Sequence, residues 1–223
     1  MTALKILDLF CGAGGAGEGY RRAGFDVDGV DIEHHEYPPG RFFQLDAMDF
    51  LDFAYLDGFD VIHASPPCQG YSTMSALPNA KEYPKLISEL RRKLEVWGGP
   101  YVIENVAGAR SEMNDPIMLC GSMFNLSGMG RDGVRRQLRR HRLFESNIPM
   151  LTPECSHDGE AVGVYGTGGG GRMNRGYKAH LADAREAMGI DWMGMNDLRE
   201  AIPPAYTEFI GRQLLDVVKV VNL

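Results

Sequence analysis

The fold is decided near the start of the chain by residues 5–15, which read KILDLFCGAGG. The apolar run Lys5–Leu9 predicts a buried strand, and the glycines after it let the backbone approach a ligand closely. A helix is predicted over 17–23, with Gly24 as its stop. Strand, glycine-rich loop and helix in this order indicate the first unit of an α/β fold.

The same alternation continues through the first half of the chain. Further strands are predicted over 25–32, 41–45, 59–64 and 101–103, and an amphipathic helix is predicted over 83–97. Strands that alternate with helices favour a doubly wound, mostly parallel sheet.

Size and charge limit the class of protein. The chain has 223 residues and a formal net charge of −7, so it suits one domain and is not a generally basic nucleic-acid coat. No apolar stretch approaches the length of a membrane-spanning helix, and no signal peptide precedes the first strand. We expect a cytoplasmic monomer with no membrane partner.

The four cysteines, Cys11, Cys68, Cys120 and Cys155, are widely spaced and form no CxxC pair. A disulfide framework is therefore not expected. Cys120, Cys155 and His157 could supply three zinc ligands, but nothing nearby in the sequence completes a tight site. We expect no metal and free structural thiols.

Reactive side chains recur where the predicted strands end. They are Asp8, Asp31, Asp46, Cys68 and Glu104. Because ligands of doubly wound sheets lie beyond the carboxyl ends of the strands, we expect these five side chains to converge on one edge of the sheet.

The glycine-rich loop and two of these acids predict a nucleoside pocket. The loop has neither the dinucleotide register GxGxxG nor the phosphate cradle GxxxxGK[ST]. Asp31 suits the hydroxyls of a ribose, and Asp46 could accept from the amine of an adenine ring. The natural cofactor is S-adenosylmethionine, and an ordinary strand-to-helix turn is the alternative. The residues expected to bind the cofactor are Asp8, Phe10, Cys11, Gly12, Gly14, Gly15, Asp31, Ile32, Asp46, Ala47 and Pro66.

A cysteine follows two prolines in residues 66–69, PPCQ. The prolines fix φ and keep the loop extended after the strand, which suits a held and exposed nucleophile. The alternative is a turn that ends the strand and carries an incidental cysteine.

Several segments resemble motifs of the DNA (cytosine-5)-methyltransferases. Residues 8–15 (DLFCGAGG), 66–72 (PPCQGYS) and 104–106 (ENV) occur in that family's order, 140–144 (RHRLF) is similar to its arginine-x-arginine motif, and 201–211 to its closing motif. The resemblance implies a Rossmann-like, S-adenosylmethionine-dependent methyltransferase fold in a compact, phage-like form.

The resemblance also implies a reaction, the methylation of cytosine C5 in double-stranded DNA. Cys68 would add to C6 of a flipped-out base, which makes C5 nucleophilic. Glu104 would donate to N3, and Arg142, with Arg140, would hold the base or polarise its carbonyl oxygen. The residues expected around the substrate are Gln69, Gly70, Ser72, Asn105, Arg135 and Arg136.

Arg135 and Arg136 belong to an arginine cluster between residues 131 and 142. On an acidic protein such a patch indicates a face that contacts phosphates. A solvated arginine-rich strand edge or helix is the alternative.

The region that reads the target sequence is short in this chain. We predict a catalytic core at 1–144, a reduced recognition insertion at 145–184, and a segment at 185–223 that completes the core. Arg199-Glu200 stands where the family has Gly-Asn. Because the reading region is small, an RNA (tRNA) substrate and a non-catalytic DNA-binding relative remain alternatives.

Overall fold

A computed structural model describes residues 3–53, 56–71, 83–165 and 177–221. Its strands are β1 (Lys5–Leu9), β2 (Asp26–Asp31), β3 (Arg41–Gln44), β4 (Val61–Ala64), β5 (Tyr101–Val106), β6 (Ile117–Leu119), β7 (Ser127–Met129), β8 (Arg135–Leu138), β9 (Arg142–Ser146), β10 (Ala161–Gly163) and β11 (Tyr177–Lys178). Its helices are α1 (Gly15–Ala23), α2 (Ala47–Phe53), α3 (Ile87–Trp97), α4 (Leu181–Met188), α5 (Met195–Glu200) and α6 (Pro204–Val221).

The larger sheet has seven strands in the order β3-β2-β1-β4-β5-β9-β6. The first five strands in this order are parallel, whereas β9 runs antiparallel to both β5 and β6. The mostly parallel sheet was therefore predicted correctly, whereas the antiparallel edge formed by β9 was not predicted.

Helices cover both faces of this sheet. Alternate residues of β1 point to opposite faces, so Ile6 packs in one apolar cluster with α1 and α6, and Leu7 packs in another with α3. Both side chains are fully buried. Two covered faces confirm the doubly wound arrangement.

Helices α1 and α6 pack closely because glycines face the contact. A Cβ atom on Gly19 would collide with the backbone of α6, so a larger residue could not be accommodated there without a shift. The Thr207 hydroxyl donates to the Ala16 carbonyl at 2.8 Å. This contact fixes the helix that follows the glycine-rich loop.

The predicted start of the helix over 83–97 is wrong by about one turn, because α3 starts only at Ile87. Pro84 disfavours a helical conformation of the residue before it. The backbone N–H of Ile87 donates to the Tyr71 hydroxyl at 3.2 Å, which satisfies one donor at the helix start.

A smaller sheet has the strand order β11-β10-β8-β7 and packs with α4 and α5. Leu138, Val162 and Met188 belong to its buried core. The predicted insertion 145–184 contains β10 and β11, but β7 and β8 come from before β9. The smaller sheet is thus built from chain segments on both sides of β9. Within the described ranges, no helix combines the length and apolarity needed to cross a membrane.

Candidate active site

A cavity of about 430 Å³ lies at the carboxyl ends of the parallel strands. This volume falls within the usual range of small-molecule sites, about 300–1,000 Å³. The predicted residues that line it are Asp8, Phe10, Cys11, Gly15, Asp31, Ile32, Pro66, Cys68, Gln69, Glu104 and Arg142. Four of the five reactive side chains expected at this edge therefore do meet there.

The glycine-rich loop forms one wall through its backbone conformation. Gly14 has φ 83°, and a Cβ atom on it would lie 2.8 Å from the Pro39 side chain. A Cβ atom on Gly15 would lie 2.6 Å from the carbonyl oxygen of Ile202. Side chains at these two positions would collide with Pro39 or with Ile202, so the loop can follow this path only with glycine there.

Asp31 is held in place at the end of β2. Its Oδ2 accepts from the backbone N–H of Gly12 at 2.9 Å, and its Oδ1 accepts from that of Glu33 at 3.0 Å. The carboxylate lines the cavity and couples the glycine-rich loop to β2.

Asp8 is a fully buried carboxyl group at the floor of the cavity. The Tyr37 hydroxyl donates to its Oδ2 at 2.9 Å, and Oδ1 has no hydrogen-bond partner among the described residues. Burial raises the pKa of Asp8 to about 7, although the hydrogen bond from Tyr37 partly offsets this increase. A cationic ligand group at this wall would compensate the buried charge.

Asp8 makes the stability of the ligand-free protein dependent on pH. Its pKa is about 7 in the folded chain and 3.8 in the reference state, so the folded protein loses stability as the pH rises from about 4 to about 7. The loss is on the order of 4 kcal/mol at about 1.4 kcal/mol per pH unit. We expect Asp8→Asn to be more stable than the wild type at pH 8 and to lose this advantage at pH 4.5, measured by urea unfolding. An equal difference at both pH values would contradict the burial effect.

Four residues predicted to bind the cofactor are not among the described residues that line the cavity: Gly12, Gly14, Asp46 and Ala47. The Asp46 Oδ1 accepts from the backbone N–H of Met48 at 2.8 Å and of Asp49 at 3.2 Å. Asp46 therefore caps α2, a helix that the sequence did not predict.

The loop that carries Cys68 is supported by Asn105. The Asn105 side-chain amide donates to the Pro66 carbonyl at 2.9 Å, and its Oδ1 accepts from the backbone N–H of Val106 at 3.0 Å. A 3-10 turn over Gln69–Tyr71 follows Cys68. Asn105 thus orients the loop, and Gln69 and Gly70 lie in the turn. Ser72 lies outside the described residues.

Glu104 and Arg142 meet because β9 is antiparallel to β5. The register pairs Val106 with Arg142, so the start of β9 lies beside the end of β5. The Arg142 Nε lies 3.0 Å from the Glu104 Oε1, an ion pair without hydrogen-bond geometry. A parallel strand would have placed this arginine at the opposite edge of the sheet.

Burial controls the protonation of both reactive groups. It raises the pKa of Glu104, although Arg142 and Arg140 lower it. Burial also raises the pKa of Cys68, which Arg142 lowers and Glu104 raises. Glu104 is therefore a better proton donor than an exposed glutamate, and the Cys68 thiolate depends on the charge of Arg142.

A chain of buried polar groups continues behind Glu104. Ser65 hydrogen-bonds to Glu104 and to the His63 Nε2, the latter at 2.9 Å, and the His63 Nδ1 lies 2.9 Å from the Tyr20 hydroxyl. Burial lowers the pKa of His63 to about 3, so the ring is neutral. These linked polar groups were not predicted from the sequence, although a histidine inside the apolar run of β4 was a signal for them.

Arg140, predicted to hold the base, lies outside the cavity lining. Its Nη1 donates to the Val164 carbonyl at 2.9 Å, and its Nη2 donates to the Arg199 carbonyl at 2.6 Å. Burial lowers its pKa to about 9. Arg140 therefore connects the segment after β10 with α5, and Arg142 is the arginine at the cavity.

The two arginines expected to contact phosphates differ in environment. Arg136 is buried, pairs with Asp132 and Glu160 at 2.7 and 2.5 Å, and lies over the Tyr177 ring. These contacts favour a structural role in the smaller sheet. Arg135 is exposed and pairs with Glu186 at 2.8 Å, so its side chain remains accessible from solvent.

The last wall of the cavity comes from residues near α5. It consists of Met193, Asp197, Glu200, Ala201 and Ile202. The neighbouring Trp192 donates from Nε1 to the Ala13 carbonyl in the glycine-rich loop at 2.9 Å. The predicted closing segment does wall the cavity, whereas Met193 and Asp197 were missed because no motif marks them.

Comparison with known proteins finds sequence relatives for about half of the chain. No protein-family profile matches the chain. The chain is 32% identical over 139 residues to the Type II methyltransferase M.AgeI of Thalassovita gelatinovora, covering 52% of this chain and 30% of that protein. It is 29% identical over 130 residues to the Type II methyltransferase M.FnuDI of Fusobacterium nucleatum, covering 50% and 35%. The matched part is thus about a third of the length of these relatives.

Solved structures match over almost the entire chain. A prophage-encoded E. coli protein assigned as a DNA modification methyltransferase superposes with a TM-score of 0.59 at 15% identity, covering 97% of this chain and 100% of that one. The S. pombe Dnmt2 methyltransferase gives a TM-score of 0.58 at 13% identity, covering 97% and 99%. The chain has the Rossmann-like methyltransferase fold. Half of it is also similar in sequence to Type II methyltransferases.

Proposed function

We propose that this protein transfers a methyl group from S-adenosylmethionine to C5 of cytosine in DNA. The observation that carries this proposal is the single cavity that joins the glycine-rich loop and Asp31 to Cys68, Glu104 and Arg142. A nucleoside cofactor and a reacting base can therefore occupy the same cavity.

The residues at the loop end of the cavity fit this cofactor. The Cβ position of Gly15 is blocked by the Ile202 carbonyl, so this lining residue presents only backbone to a ligand. The partnerless oxygen of Asp8 suits a cationic sulfonium or ammonium group, and Asp31 suits the hydroxyls of a ribose. When bound, the cofactor supplies an electrophilic methyl group.

The residues at the other end can activate the base. Cys68, as a thiolate, forms a bond from Sγ to C6 while Glu104 donates a proton to N3. The ring electrons would then reside at C5 as in an enamine. C5 could accept the methyl group of a bound cofactor, whose sulfur would keep the electron pair of the broken sulfur–carbon bond and leave as a neutral thioether. A base removes the proton from C5, the bond from Sγ to C6 breaks, and N3 returns its proton. Arg142 favours the thiolate before addition.

The substrate is proposed to be double-stranded DNA with the target base flipped out of the helix. A base that stays stacked within a duplex cannot place its C6 beside Cys68 in the cavity, so it has to leave the stack. The prophage-encoded E. coli protein of the same fold is assigned to DNA modification, which supports DNA as the substrate. Exposed Arg135 is the residue we assign to a phosphate. The protein is proposed to act as a monomer.

The proposal predicts methyl transfer to cytosine in duplex DNA. The protein is incubated with labelled S-adenosylmethionine and duplex DNA, and separately with tRNA, and the digested nucleosides are separated. We expect label in 5-methyldeoxycytidine from the DNA. Label in 5-methylcytidine from tRNA alone would change the substrate to RNA, and no transfer to either, with DNA binding preserved, would leave a non-catalytic DNA-binding protein.

A further inference from the structure

A cluster of soft ligands lies outside the cavity. Cys120, His141, Cys155 and His157 bring one sulfur or ring nitrogen each to positions within 4.8 Å of one another. None of the four is among the described residues that line the cavity. The sequence indicated three of these residues and missed His141, which the fold adds from a distant segment.

We propose that these four side chains bind one structural zinc ion. Two thiolates and two imidazoles are a common tetrahedral zinc set, and four protein ligands leave no open position for a substrate. This proposal replaces the expectation, drawn from the sequence, that the protein binds no metal.

Three of the six distances between the ligand atoms are close to those of a tetrahedral zinc site, and all six are within 4.8 Å. Bond lengths of about 2.3 Å to sulfur and about 2.0 Å to nitrogen place neighbouring sulfur and nitrogen ligands about 3.5 Å apart. The Cys120 Sγ lies 3.4 Å from the His157 Nε2, and the Cys155 Sγ lies 3.6 Å from the His141 Nε2. The Cys155 Sγ also lies 3.1 Å from the His157 Nε2. Each of these edges is within about half an ångström of the ideal value.

Hydrogen bonds alone explain the cluster less well. The Cys155 sulfur lies close to three polar atoms, the Nε2 of His141, the Nε2 of His157 and, at 3.6 Å, the Ser122 hydroxyl. One thiol proton can serve only one of the two nitrogens. A metal ion accepts lone pairs from both nitrogens and both sulfurs at once, and the Ser122 hydroxyl can then donate to the Cys155 thiolate.

The position of the cluster explains what such an ion would do. Cys120 directly follows β6, His141 directly precedes β9, and Cys155 and His157 belong to the irregular connector 147–160. The ion would fix this connector, which has neither helix nor strand, to the antiparallel edge of the larger sheet. Because His141 directly precedes Arg142, the ion would also hold the backbone next to this arginine.

Zinc content of the purified protein tests the proposal. We expect about one zinc per chain by atomic emission, and cobalt added to metal-free, reduced protein should give the sulfur-to-metal and tetrahedral absorption bands of a dithiolate site. Cys155→Ser and His157→Gln should each lower zinc affinity by more than about 100-fold. Mutation of residues that only hydrogen-bond to the ligands costs about 10- to 100-fold, so the loss of a ligand should exceed that range. Cys68→Ser and His34→Gln are matched controls outside the cluster and should keep the metal.

Stability gives a second measurement that does not depend on the variants. A strong chelator should lower the thermal midpoint of the wild-type protein, and added zinc should restore it. Wild-type protein that neither contains zinc nor takes up cobalt would overturn the proposal. So would equal metal loss in the control variants, or a Cys120–Cys155 disulfide in peptides mapped without reduction.

Discussion

Replacing Cys68 with serine is expected to abolish both methyl transfer and the covalent adduct with DNA that contains 5-fluorocytosine. Cys68 is the half-buried thiol of the cavity that faces the Glu104 and Arg142 pair. A serine hydroxyl ionises far less readily than a thiol, so addition to C6 should fall by a factor on the order of 10³ or more. Release of Cys68 from C6 requires removal of a proton from C5. Fluorine at C5 cannot leave as a proton does, so the wild-type enzyme should remain covalently bound to the DNA after methyl transfer.

The adduct is measured as a band that survives denaturation in a gel, with S-adenosylmethionine present. Cys11→Ala is the matched control, because Cys11 also lines the cavity but is buried and has a pKa raised well above the ordinary value by burial. The control should keep the adduct. A band that persists in Cys68→Ser would assign the nucleophile to another residue.

Replacing Glu104 with glutamine is expected to slow methyl transfer by about 10²- to 10⁴-fold, the usual contribution of a general acid. Glutamine preserves the shape of the side chain but cannot give a proton to N3. DNA binding, measured by fluorescence anisotropy, should change much less than the rate.

The same variant should make Cys68 more reactive towards iodoacetamide. Glu104 raises the pKa of Cys68 and Arg142 lowers it, so removing the carboxylate increases the thiolate fraction at a given pH. Arg142→Gln is the opposite control and should move the alkylation profile to higher pH. Alkylation is followed by mass spectrometry of the Cys68 peptide. If Glu104→Gln slowed alkylation and catalysis alike, a damaged loop rather than a lost proton donor would explain both.

The first half of the fold was predictable because each element carries its own local signal. The bounds of β1 and the end of α3 at Trp97 follow directly from an apolar run and from the glycines after the helix. Strand β5 extends to Val106, beyond the predicted 101–103, because its last residues pair with β9. That extension depends on pairing with a strand about forty residues later, and no pattern within residues 101–106 indicates this pairing.

The smaller sheet was not predictable for the same reason. Its strands have only two to four residues, too few for a clear periodicity, and they pair across long stretches of chain. The grouping of Cys68 with Glu104 was predictable, since both follow the rule that ligands meet the carboxyl ends of parallel strands. The orientation of Arg140 was not, because the carbonyls of Val164 and Arg199 determine it.

The packing of α1 against α6 has a consequence for how this protein is made. The hydrogen bond between Ala16 and Thr207 joins residues 191 positions apart, and contacts of such separation form late and slow the folding of a chain. During synthesis the apolar face of α1 therefore stays uncovered until α6 has left the ribosome. The glycine-rich loop that precedes α1 is thus among the last parts to become competent for binding.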